Sequence, residues 1–66
     1  MIALVRQNGH EVFVNPDLIE SAERDDDENV TVVVLTTGNT LVVTDPTTSL
    51  VEKIVEFRRR FSMPEP

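Results

Sequence analysis

Few of the 66 side chains are suited to chemistry. His10 is the one imidazole, with Glu11 beside it. A general base needs a nucleophile in reach and a third group to orient it, and nothing in the sequence marks either. His10 therefore reads as a surface or cross-strand residue beside a turn. Asp25-Asp26-Asp27-Glu28-Asn29 offers oxygens to a hard cation. Calcium loops, however, alternate their ligands around a bend glycine, and this run has neither feature. It reads as a solvated acidic loop that discourages edge-to-edge pairing. Without cysteine there is no disulfide and no thiolate metal site. Gly9 and Gly38 stand alone, as turn residues rather than a phosphate cradle. No residue is nominated as catalytic, cofactor-binding or metal-ligating.

Phe57-Arg58-Arg59-Arg60-Phe61 is the stretch with two open readings. The aromatics can pack while the arginines are solvated and complement a helix terminus. Alternatively the five residues contact an acidic protein groove or anionic lipid headgroups. At about 1 kcal/mol per basic residue, one short basic turn gives only weak adhesion to a membrane surface.

The elements that must position these residues follow from turns and periodicity. Asn8-Gly9 is a strong hairpin signal, read as a two-residue type I′ loop. That loop sets Val5 opposite Val12, Leu4 opposite Phe13 and Ala3 opposite Val14, which leaves apolar residues on both faces. Asn15-Pro16-Asp17 marks a short helical corner, with Pro16 pre-setting its first turn. A weaker strand follows over 18–24, then the acidic loop. "VTVVVLTT" (30–37) is strongly β-prone, with apolar residues on both alternations. Gly38-Asn39 reads as a second two-residue turn, with Leu35 facing Val42, Val34 facing Val43 and Thr36 facing Leu41.

Asp45-Pro46 ends the sheet. Ser49 with Glu52 three residues on fits a capping box, and Asp45 capping with Pro46 at the first helical position is an alternative start. Leu50, Ile54, Phe57 and Phe61 then recur at helical spacing, widened by Val51 and Val55. Met63-Pro64-Glu65-Pro66 reads as a frayed tail. The expected fold is α+β and mainly β: a five-stranded antiparallel meander with one C-terminal amphipathic helix. One helix cannot cover two apolar faces, so either the sheet curls into a small barrel or a second chain supplies the missing layer.

Charge narrows the class. The net charge is −6, with −7 carried by residues 1–45 and +1 by residues 46–66. An acidic body repels phosphate backbones, which argues against nucleic acid as a partner. No apolar run approaches the 18 or so residues needed to span a bilayer. "MIALVRQNGH" lacks a cationic leader, so the expected compartment is the cytoplasm. A chain this short buries only about 60% of its unfolded surface, and small domains without staples commonly oligomerise. A homo-oligomer is expected.

The order of parts resembles a known family. The strand ending in Asn8-Gly9, then "VNPDLIESAE", the "TVVVLTTGNTLVV" hairpin and a Ser49-led helix are similar to the FlbD/SwrD-type family of small flagellar, swarming-motility proteins. The combination of "NG", "NPDLIE" and the glycine hairpin at matching spacing carries the resemblance, over about residues 1 to 57. The chain departs from the family pattern at "DDDEN" and at Gly38-Asn39, where Asn-Gly is frequent. The resemblance implies a single FlbD-like domain over 1–62, with 63–66 as tail. It also implies a non-enzymatic role in motility, with flagellar or motor proteins as partners near the flagellar base. The alternative is a homo-oligomeric adaptor unrelated to motility.

Overall fold

The computed structural model describes residues 1–62, with side chains through Arg60. The elements, in order, are β1 (Ile2–Val5), β2 (Glu11–Val14), a 3-10 turn (Pro16–Leu18), β3 (Ile19–Asp25), β4 (Val30–Leu35), β5 (Thr40–Val43) and α1 (Thr47–Ser62). The architecture is the expected one, mostly antiparallel β with one C-terminal helix. The expected tail, 63–66, lies outside the described residues.

Both hairpins close differently from expectation, and for one reason. The Arg6 N–H donates to the His10 carbonyl and the Gly9 N–H to the Arg6 carbonyl, each at 2.8 Å. The loop is thus Gln7-Asn8-Gly9, three residues long, and only Gly9 takes a positive φ, +90°. A type I′ turn would have forced Asn8 into that region as well. Instead the Asn8 side-chain oxygen accepts the His10 N–H at 3.0 Å. The second hairpin repeats the design. The Leu35 N–H donates to the Asn39 carbonyl at 2.8 Å, the Gly38 N–H donates to the Leu35 carbonyl at 3.0 Å, and Gly38 has φ +93°.

These loops reset the registers. Leu4 faces Val12 and Ala3 faces Phe13, one residue from the expected pairing. Val33 faces Leu41 and Val32 faces Val42, three residues from it. An odd shift exchanges faces. Ile2, Leu4, Val12 and Val14 therefore share one face of the first hairpin, while Glu11 and an exposed Phe13 share the other. Apolar residues still occupy both faces, as expected, but the division differs: Ile2, Leu4, Val12 and Val14 turn inward, while Ala3, Val5 and Phe13 lie on the outer face, Val5 and Phe13 exposed.

The strands form two sheets, β1–β2 and β3–β4–β5, joined by one antiparallel bridge between Arg6 and Val43. The Thr44 N–H donates to the Val5 carbonyl at 2.8 Å and the Gln7 N–H to the Val42 carbonyl at 3.2 Å. The spatial order is thus β2–β1–β5–β4–β3. Among the described residues β2 and β3 do not pair, so no barrel closes.

Ile2, Leu4, Val14, Val33, Val43 and Leu50 form the buried core, flanked by Ile54 and Phe57 from the helix. The Pro46 carbonyl accepts the Leu50 N–H at 3.0 Å, and the helix starts at Thr47. Ser49 is consequently the third helical residue, and the capping box expected there does not form. Asp45 does not cap the helix either, because its carboxylate is engaged by β1 and Lys53. Val51 and Val55, expected to widen the packed stripe, point outward at 56% and 47% exposure. They lie one residue past Leu50 and Ile54, about 100° further round the helix, away from the side that packs on the core.

Candidate functional site

The corner residues hold the scaffold. Asn15 caps the 3-10 turn, its side-chain oxygen accepting the Asp17 N–H at 3.0 Å, and Pro16 is buried at the first position. Gly9 and Gly38 supply the positive φ their loops require. Asn8 bonds the His10 amide, and Asn39 contributes its carbonyl to the second loop. His10 itself is exposed. Among the described residues no group of three or more His, Cys, Asp or Glu is arranged to hold a metal ion.

A polar joint that sequence reasoning missed fixes the helix to the sheet. The Asp45 carboxylate accepts the Val5 N–H at 2.7 Å through Oδ1 and the Lys53 ammonium at 2.9 Å through Oδ2. Lys53 Nζ also donates to the Ala3 carbonyl at 2.6 Å. Burial alone would raise the Asp45 pKa, but the Val5 amide and the Lys53 ammonium outweigh it and hold the carboxyl below its ordinary value. Thr31, fully buried, donates to the Asp45 carbonyl at 2.6 Å and accepts from Arg24 at 3.2 Å. The one available signal was a lone hydroxyl inside the apolar run "VTVVVL".

With the helix so placed, the Phe57–Phe61 stretch divides. Phe57 packs half-buried against the core. Arg58 lies 3.8 Å from Asp17, both well exposed, a pair of little energetic weight. Arg60 lies 3.9 Å from Glu56 one turn earlier. Arg59 makes no ion pair among the described residues. The Phe61 side chain lies outside the described residues. A cleft of about 600 Å³ opens between Met1, Ile2 and Ala3 on one side and Glu52, Lys53, Glu56, Phe57 and Arg60 of the helix on the other. Its walls carry charges of both signs over an apolar floor, which suits contact with a polypeptide better than a small anionic or cationic ligand.

Exposed apolar side chains also mark the outward helix line of Val51, Val55 and Arg59, and the outer sheet face with half-buried Val32 and Val34 and exposed Val42. A family model described as FlbD, flagellar and swarming motility proteins, matches residues 1–62. The chain belongs to the FlbD family. For this FlbD-family chain the match spans every described element, from β1 through the helix carrying Arg58, Arg59 and Arg60. No match was found among curated proteins or among solved structures. Family membership connects the chain to flagellar and swarming motility. No helix among the described residues is long and apolar enough to cross a membrane.

Proposed function

We propose that this FlbD-family protein is a non-enzymatic accessory part of the flagellar system, acting in the cytoplasm near the flagellar base. It works through self-association and through contacts with flagellar or motor proteins. The observation that carries this reading is the outward line of Val51 and Val55 on a helix whose opposite side is committed to the core. Apolar side chains kept in water beside a basic turn favour a protein-contact role. Family membership supplies the motility setting.

A deletion strain tests it. Loss of swarming, restored by the wild-type gene supplied in trans, is the expected result. A deletion strain that swims and swarms like its parent would refute the reading.

A further inference from the structure

We propose that the helix line Val51–Val55–Arg59 of one copy docks on the acid-rimmed outer sheet face of a second copy. This rests on the self-association reading above and specifies the surfaces that carry it.

The helix line is made by spacing. Residues 51, 55 and 59 stand four apart, on one side of α1, and span about 12 Å at 1.5 Å per residue. The line reads apolar, apolar, cationic. Val51 and Val55 are about half exposed, and Arg59 is exposed with no ion-pair partner among the described residues.

The receiving surface shows the complementary order. Across the three-stranded sheet, Glu23 of β3 faces Val32 of β4, which faces Val42 of β5. Directly paired residues share a face, so this row reads anionic, apolar, apolar, over about 10 Å at the usual strand separation. Val32 also lines a hollow of about 400 Å³ whose rim is Glu23, Asp25, Asp26 and Asp27. The one base at that hollow, Arg24, is turned to Thr31 and Asn29, with its guanidinium donating to both side-chain oxygens. Glu23, Asp26 and Asp27 have no ion-pair partner among the described residues. An apolar strip with an uncompensated acidic border calls for an apolar line ending in a cation. The line Val51–Val55–Arg59 of α1 has that order, with exposed Glu52 and Glu56 on the flank beside it and Glu56 paired to Arg60.

A basic segment of another protein would satisfy the same surface. The second copy is favoured because this chain carries both halves of the match. It also carries the charge separation, −7 over residues 1–45 and +1 over residues 46–66, that orients head to tail. The contact is smaller than the ~800 Å² per partner of a stable complex, so it is reversible and concentration-dependent. Its charged half is exposed and weakens with salt.

Light scattering on the purified full-length chain, over a range of concentrations at low and high salt, provides the test. Four samples are compared: wild type, Arg59→Glu, the double variant Glu23→Arg with Asp26→Arg, and an equimolar mixture of the two variant proteins. In the wild type the mass rises above 7.4 kDa with concentration and falls with salt. Each variant alone associates about ten-fold more weakly, roughly 1.4 kcal/mol, because it sets like charge against like. In the mixture the acidic helix meets the basic sheet face, and association returns. Thermal melting of each variant matches wild type, since the altered side chains are exposed. A wild type that stays monomeric overturns this docking and the self-association reading together. Variants that associate like wild type, or a mixture that does not recover, overturn this docking alone.

Discussion

Lys53 Nζ lies 2.9 Å from Asp45 Oδ2, in a pair whose carboxylate side is nine-tenths buried. Through it the helix is tied to the residue that ends the sheet, and through the Ala3 carbonyl to a strand fifty positions earlier. The ammonium and the carboxylate each satisfy a backbone group of β1 as well. The pair is therefore a junction of three segments rather than a surface ornament.

Asp45→Asn keeps an oxygen for the Val5 amide and removes the charge that Lys53 meets. Hydrogen bonds to charged groups contribute about 1.5–3 kcal/mol, reduced here because Lys53 is partly exposed. A loss of about 1–2 kcal/mol is expected, a fall in Tm of roughly 5–15 °C for a domain of this size. Thermal denaturation followed by circular dichroism measures it. An unchanged Tm would deny the junction its role.

The same pair has a pH signature. The native Asp45 pKa is lowered from 3.8, so the unfolded chain binds the proton more readily. Its contribution is complete above the unfolded value and is lost as pH falls below about 3.8 toward the native pKa. The stability difference between wild type and Asp45→Asn should hold steady through the neutral range and shrink under acid. Urea melts at a series of pH values follow it. A difference unchanged into strong acid would contradict the assignment.

Gly9 and Gly38 occupy φ +90° and +93°, with nothing within 4 Å of a Cβ placed on either. Alanine there meets no neighbour, so its cost is the backbone alone, about 1–2 kcal/mol at each site. The two losses should be similar, since the two loops share one geometry. His10→Ala, beside the first loop, should leave the melt unchanged. Equal stability of Gly9→Ala and wild type would mean that the loop is not built on that conformation.

Face assignment can be read from a pair of truncations. Leu4 is fully buried in the core, while Val34 faces outward and is half-buried. Leu4→Ala should cost about 2–5 kcal/mol, and Leu4→Asp should abolish folding. Val34→Ala should cost less than about 1 kcal/mol. Comparable losses at both positions would contradict the register that pairs Val34 with Thr40 and turns it outward.

The elements were legible in the sequence because punctuation and period name them directly. Asn15-Pro16-Asp17 gave the corner, "VTVVVL" the central strand, and Leu50, Ile54 and Phe57 the packed side of the helix. The registers were not legible. Asn-Gly and Gly-Asn suit a two-residue loop, but a three-residue loop also places glycine at positive φ. What decides is whether Asn8 adopts that strain or bonds the His10 amide with its side chain. Glu23 beside Val32 was likewise hidden until the β3–β4 register was known. Asp45 and Lys53 meet only because the chain turns at Pro46, and no periodic pattern announces such a pair. Among the arginines, spacing alone could not separate Arg59 from Arg58 and Arg60. That took the neighbours Asp17 and Glu56.

The most direct measurement is swarm expansion of a deletion strain carrying the Val55→Glu gene, with Val55→Glu protein held at wild-type abundance. Val55 is outside the core, so the variant should fold, yet a carboxylate in the middle of the outward helix line should block contact and leave swarming unrestored. His10→Ala, in the same strain, should restore it fully. Full swarming with Val55→Glu would contradict the claim that this side of the helix is where the protein works.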